Sequence, residues 1–283
     1  MNTKYLSQHE KGFTLVELLI SIVAAAMLLG SLYIIFKSQN KTYQVQTQLS
    51  NIQRNTRMSI ELVSKEIRMA GFNPKGTLFE TSSPILSANA TNFTFEADFN
   101  GDGVIESNEK VGFGLKPSDD TDGNGVADDN NGELTMTIGS SPPQVIATNV
   151  EAICFAYAFT NTNGNALVTA SGHIIWAIPK AGTWYNLDTN GDGTIDQNDL
   201  TASVTGGVNT IGGISTGLPI ITQNIRAVRI WILVRSEHED SSYRDQNVYV
   251  VGDNIIKPTG TDIHYRHRLI YSIIKLRNMG LNY

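Results

Sequence analysis

Apolar side chains recur in two rhythms along the chain, and the switch between them divides it. Residues 13–36 form an apolar run whose only charged member is Glu17. At 1.5 Å per residue such a run spans about 36 Å as a helix, enough to cross a hydrocarbon core of about 30 Å. From residue 37 the pattern becomes amphipathic. Val45, Leu49, Ile52, Thr56, Ser59, Val63, Ile67 and Ala70 follow three- and four-residue steps, with Arg54, Arg57, Glu61, Lys65 and Arg68 elsewhere on the helix. No proline precedes Pro74, so one continuous helix is predicted over residues 13–70, ended by Gly71 and Pro74.

Beyond residue 76 the rhythm shortens to β-type runs separated by Gly, Asn, Asp and Ser. Strands are predicted at 92–97, 110–115, 133–138, 150–159, 173–178, 225–234, 246–251 and 265–276. The fold class is therefore α+β, a long N-terminal helix packed on an antiparallel sheet. In the run 225–234, Val228, Ile230, Ile232 and Val234 alternate with Arg229, Trp231, Leu233 and Arg235, so one face belongs to the core. The arginines are read as serving solubility alone. The Gly-, Thr- and Ser-rich segment 201–217 reads as a long surface loop.

Composition sharpens this picture at two points. With 283 residues, 41% of them hydrophobic, the chain is large enough for a real core. Cys154 is the only cysteine, so no intrachain disulfide can form, and its apolar surroundings make it a buried small hydrophobe. The net charge of −6 is unevenly distributed. Segments 98–109, 120–131 and 188–199 hold 12 of the 27 acids and no Lys or Arg, which leaves 15 acids against 21 bases elsewhere. The acidity reads as local cation sites, and nucleic acid is not expected as a primary ligand.

Each acidic segment has the spacing of a calcium loop, in which oxygens from alternate residues converge on one ion and Gly at the sixth position permits the sharp turn. The first uses Asp98, Asn100, Asp102, Val104 (through its carbonyl), Glu106 and Glu109. The second uses Asp188, Asn190, Asp192, Thr194, Asp196 and Asp199. A third, partial loop has Asp120, Asp122, Asn124, Val126 and Asp128 but Asn131 at its twelfth position. Asn-Gly-Asp-Gly is also plain turn chemistry, but its repetition favours calcium. Because strands flank the first loop, the expected role is a structural staple in place of disulfides.

Enzymatic motifs are weak. Gly213-Ile214-Ser215-Thr216-Gly217 matches G-x-S-x-G, but a Gly-rich loop precedes it and Pro219 follows, where the motif needs a strand and a helix. His264 and His267 would face opposite sides of one predicted strand, and His173 and His238 have no motif around them. No phosphate-cradling Gly-Lys-Ser loop occurs. A non-enzymatic chain is expected.

The string Lys11-Gly12-Phe13-Thr14-Leu15-Val16-Glu17-Leu18-Leu19-Ile20 closely resembles the type IV prepilin signal. That resemblance implies cleavage between Gly12 and Phe13 by a prepilin peptidase, N-methylation of Phe13, and pairing of Glu17 with the new amine of a neighbouring subunit. A lone carboxylate in a membrane segment is costly enough to require such a partner. Two further stretches, Arg57-Met58-Ser59 through Ile67-Arg68-Met69-Ala70-Gly71-Phe72 and Tyr265-Arg266-His267-Arg268-Leu269 through Lys275-Leu276-Arg277-Asn278, resemble the PilW branch of minor pilins, and Ala227 to Ser236 fits the same family.

The resemblance implies a leader at 1–12, a transmembrane or filament-core helix at 13–36, its amphipathic half at 37–72, and a β-rich head at 73–283. It implies a minor pilin of a type IV pilus, incorporated through its helix and contributing to assembly. Expected partners are other minor and major pilins, the prepilin peptidase and inner-membrane assembly machinery. The chain would cross the inner membrane once with its head outside the cytoplasm, then reach the pilus and cell surface. The rival readings are a type II secretion minor pseudopilin and a membrane-anchored calcium-dependent adhesin.

Overall fold

Helix α1 spans Leu15–Ile67 in a computed structural model that describes residues 12–79, 82–180, 182–199, 210–211, 214–215 and 217–279. It stops short of the predicted residue 70. Met69 and Ala70 close a tighter turn onto the Glu66 and Ile67 carbonyls (2.9 and 3.1 Å), and Gly71 then adopts φ +72°, a conformation that ends helices. The chain divides within α1 into two units, one up to Gln48 and the other from Leu49.

In the first unit α1 is long and apolar enough to cross a membrane, and none of its apolar window is buried. Leu15, Leu18, Ile22, Met27, Leu32 and Phe36 all stand exposed. In the second unit the remaining turns of α1 bury Ile52, Thr56, Ser59, Val63, Ser64 and Ile67. This is the predicted stripe, beginning at Ile52 because Leu49 is still 39% exposed. The Ser59 hydroxyl donates to the Ile146 carbonyl at 2.9 Å, which lets a polar residue sit in this seam.

Seven strands run antiparallel in the order β1 (Ile85–Ala88), β2 (Asn92–Glu96), β3 (Lys110–Leu115), β4 (Gly132–Ile138), β5 (Gln144–Phe159), β10 (Ile225–Arg235) and β13 (His267–Lys275). Strands β6 (Ala177–Lys180) and β7 (Thr183–Asn186) extend the sheet from the far end of β5, where Tyr157 pairs with Ala177. A separate hairpin joins β11 (Tyr249–Val251) to β12 (Asn254–Ile256). Short strands β8 (Thr210–Ile211) and β9 (Ile214–Ser215) pair in the segment expected to be loop throughout; residues 201–209, 212–213 and 216 lie outside the described residues. Of the predicted 173–178 strand only the end joins β6, and 246–251 shortens to β11.

The sheet is buried on both faces along β5 and β10. One face packs Phe93, Phe95, Ile153, Phe155, Tyr157, Ile230 and Ile274 with Ile52, Val63 and Ile67 of α1. The other packs Ala152, Cys154, Ala156, Trp231 and Leu233 with Trp176, Val251 and Ile256. Double coverage explains the continuous apolar run at 150–159, which strict alternation would not produce. It also corrects the reading of Arg229 and Arg235. The Arg229 guanidinium lies 4.4 Å from the Trp231 ring and 4.5 Å from that of Tyr271, a cation–π arrangement. Arg235 Nη1 donates to Asp262 Oδ1 at 3.0 Å, so neither arginine is merely a solubilising charge.

Candidate functional site

At the head of α1, Thr14 and Glu17 form a reciprocal cap. The Thr14 N–H and hydroxyl both donate to Glu17 Oε2 (2.9 and 2.8 Å), and the Glu17 N–H donates back to Thr14 Oγ1 at 3.3 Å. This is the capping box, which satisfies helix N–H groups that have no intrahelical partner. Phe13 beside it is 88% exposed.

The three acidic loops share one backbone. Their fourth residues, Gly101, Gly123 and Gly191, have φ +73°, +70° and +75°, and their sixth, Gly103, Gly125 and Gly193, +83°, +84° and +88°. Only glycine adopts these values without strain. In each loop the first carboxylate accepts from the sixth N–H: Gly103 to Asp98 and Gly193 to Asp188 at 2.9 Å, Gly125 to Asp120 at 3.0 Å. The third side chain accepts from the fifth N–H, as in Asp102 to Asn100 Oδ1 and Asp192 to Asn190 Oδ1, both 2.8 Å. The fifth accepts in turn from Val104, Thr194 or Val126 at the seventh (2.8, 2.8 and 2.7 Å).

The first two loops close through their twelfth residue. Glu109 accepts from the Asn100 and Glu106 N–H groups (3.2 and 2.9 Å), and Asp199 from those of Thr189 and Asp196 (2.8 and 2.9 Å). Asp98, Glu109, Asp188 and Asp199 are buried, while Asn100, Asp102, Asn190 and Asp192 are exposed. Each loop thus has carboxylates anchored inward and oxygens open to solvent, a donor set of hard oxygens suited to calcium. Lys75 Nζ donates to the Asp102 carbonyl at 2.5 Å. His173 lies against the second loop, Nδ1 3.1 Å from the Gly191 carbonyl.

The third loop closes differently. Asp128, its ninth residue, accepts from the Thr121 N–H and hydroxyl at 3.2 and 2.7 Å, so Asn131 is not needed to complete it. Its chain also pairs with β5: Ala127 N–H donates to the Glu151 carbonyl, and Ile153 N–H to that of Gly125, both at 2.8 Å. Burial raises the Asp120 carboxyl above its ordinary value, outweighing the N–H groups of Gly125 and Asn124.

The structure also assembles a buried polar cluster that no spacing announced. His267 opens β13 opposite Arg235 at the end of β10. Glu151 is the extra residue where the β5–β10 register shifts between Val234–Val150 and Leu233–Ala152, a bulge that re-aims its side chain. His267 Nδ1 lies 2.9 Å from Asp245 Oδ2, and its Nε2 lies 3.1 Å from Glu151 Oε2 and 3.3 Å from Asp262 Oδ2. Burial alone would lower the His267 pKa, but the carboxylates of Asp262, Glu151 and Asp245 raise it to about 10. His264 shares neither strand nor site. It ends a one-turn helix at Asp262–His264, with Nδ1 2.7 Å from the Tyr243 carbonyl.

Cys154 is buried, its pKa raised chiefly by desolvation, so the thiol is inert. In the G-x-S-x-G segment, Gly213 and Thr216 lie outside the described residues. Ser215 ends the two-residue β9.

Residues 121–278 match the family described as Type IV Pilus-assembly protein W, and residues 7–33 match the prokaryotic N-terminal methylation motif. No curated protein matches the chain. Among solved structures, a type IV-like pilin from Thermus thermophilus aligns with a TM-score of 0.38 at 9% identity, over 81% of this chain and 98% of that one.

Proposed function

The chain belongs to the family of Type IV Pilus-assembly protein W and carries a prepilin-type methylation motif, and from that premise we propose that it is a minor pilin incorporated into a filament through α1. The observation that carries this reading is the helix itself. Its apolar half from Leu15 onward is bare, whereas its last turns are buried from Ile52. Bare side chains of that extent belong in lipid or against other apolar helices. Before assembly the helix would sit in the inner membrane with the head outside the cytoplasm. Cleavage after Gly12 would leave the new amine of Phe13 at the capped end of α1, where Glu17 of a neighbouring subunit could receive it.

In this reading the protein is a structural subunit without catalytic activity, and its partners are other pilins, the prepilin peptidase and the assembly machinery. The acidic loops hold structural calcium. The first fastens the β2–β3 connection beside the helix exit, where Asp98 N–H donates to the Phe72 carbonyl at 2.8 Å. Asp98, Asn100, Asp102 and Glu109 would hold one ion, and Asp188, Asn190, Asp192 and Asp199 another. Asp120, Asp122, Asn124 and Asp128 would form the third site.

Photo-crosslinking from position 18 in intact cells tests the assembly reading. Adducts with other pilins are expected; adducts with secretion pseudopilins alone would move the chain to a type II pseudopilus. A chain that crosslinks to no pilin-like subunit would be a solitary anchored protein.

A further inference from the structure

We propose that Glu151, Asp262 and His267 hold a divalent transition-metal cation, zinc by the character of the ligands, at a site separate from the acidic loops and oriented by Asp245. Three buried atoms have no hydrogen-bond partner among the described residues: Glu151 Oε2, Asp262 Oδ2 and His267 Nε2. Glu151 is remote in sequence from Asp262 and His267, yet all three offer ligand atoms within 4.8 Å of one another. Glu151 is 1% exposed, Asp262 6%, and the His267 side chain not at all. Burying two carboxylates with their free oxygens turned toward each other is costly unless a positive charge lies between them.

A proton on Nε2 is the obvious rival: without a metal the surrounding carboxylates favour it, and a bound cation would displace it. An imidazolium would aim Nε2–H at one oxygen. Here Nε2 stands 3.1 and 3.3 Å from the two oxygens, within ion-pair distance of both but aligned for a hydrogen bond with neither. With metal–ligand bonds of about 2.0–2.1 Å, neighbouring ligand atoms of a tetrahedral site are about 3.3 Å apart. The two separations from Nε2 fit ligands that share an ion.

The surroundings agree. His267 Nδ1 faces Asp245 Oδ2 at 2.9 Å, the carboxylate–imidazole arrangement that fixes the tautomer and leaves Nε2 free to ligate. Asp245 is itself held by the Tyr249 hydroxyl at 2.8 Å and the Asn247 N–H at 3.0 Å. Asp262 is steadied through its other oxygen by Arg235 at 3.0 Å. Glu151, Asp245 and Asp262 carry three negative charges and Arg235 one positive, so a neutral imidazole leaves an excess of two that a divalent cation cancels. A nitrogen ligand distinguishes this site from the all-oxygen loops and favours zinc over calcium. An ion here would tie β5, β10, β13 and the turn at Asp262–His264 together on the sheet face opposite α1.

The test uses the full chain in detergent, purified through a histidine-free tag in calcium buffer without chelator. Elemental analysis is expected to find zinc in near-equimolar amount. After zinc is stripped, Co²⁺ is expected to give the visible bands of a bound, low-coordinate ion. His267→Asn and Glu151→Gln should abolish them, and Asp245→Asn should weaken Co²⁺ binding about 10- to 100-fold, with near-UV circular dichroism reporting folding in each case. A wild-type chain without zinc whose Co²⁺ spectrum stays that of the aqueous ion overturns the proposal. So does metal binding unchanged in folded Glu151→Gln and Asp245→Asn, which would mark an adventitious ion.

Discussion

Thr14 and Glu17 satisfy one another at the head of the long helix, with one carboxylate oxygen taking both the Thr14 N–H and its hydroxyl at 2.9 and 2.8 Å. Glu17 therefore has two candidate tasks, capping its own helix and receiving a neighbour's amine, and one substitution separates them. Glu17→Gln keeps an amide oxygen to accept from Thr14 but removes the charge. Glu17→Gln is expected to be cleaved and membrane-inserted normally yet to enter filaments poorly, as is Glu17→Leu. Normal incorporation of Glu17→Gln alone would assign the residue to capping.

Calcium is expected to stabilise the detergent-solubilised chain. A ligand specific to the folded state contributes about 2.7 kcal/mol at a hundredfold excess over Kd, and a domain of this size shifts by roughly 2–4 °C per kcal/mol. Calorimetry should show Tm rising by at least a few degrees with calcium. Asp98→Ala with Asp102→Ala, and Asp188→Ala with Asp192→Ala, should each remove part of that gain. Asp128→Asn should remove a smaller part, whereas Asn131→Ala should change nothing. A Tm indifferent to both calcium and chelator would make these segments ordinary turns.

Gly125 meets a second constraint besides its loop. Its φ is +84°, and a Cβ there would lie 2.7 Å from the Ile153 carbonyl oxygen, backbone that cannot swing aside. Gly125→Ala is expected to lower stability by more than about 1 kcal/mol in denaturant unfolding. Gly123→Ala shares the positive φ but meets nothing within 4 Å, so it should cost less. Equal costs would locate the penalty in the backbone angle alone.

The docking of α1 on the sheet rests on few side chains. Ile67→Ala removes a fully buried side chain and is expected to cost about 2–5 kcal/mol. Met58→Ala on the same helix removes one that is 63% exposed and should fall within about 0.5 kcal/mol of wild type.

Legibility in the sequence followed the range of the signal. The helix stripe from Ile52 to Ala70 and strands β2, β3, β4, β5 and β10 were readable because their periodicity is local. β1, β7 and β12 were not, since runs of three or four residues are stabilised by their partner strands and offer too short a pattern. The far face of β10 was misjudged at Arg229 and Arg235. Long side chains can lie over aromatic rings or reach a buried carboxylate, so charge in the sequence does not imply exposure. In the third loop Asp128 was already legible as a ligand, but its closing of the loop in place of the twelfth residue appears only when Thr121 folds back on it. The cluster at Glu151, Asp245, Asp262 and His267 is drawn from β5, β13 and the segments between β10 and β13, and no spacing along the chain could announce it.

This chain is proposed to leave the membrane as a processed filament subunit. Mass spectrometry of the filament fraction sheared from intact cells tests it most directly. The chain is expected to be present there and to begin with N-methylated Phe13, and Gly12→Val to remove it from that fraction. A chain that begins at Met1, is cut after the apolar run, or is missing from the filaments would contradict it.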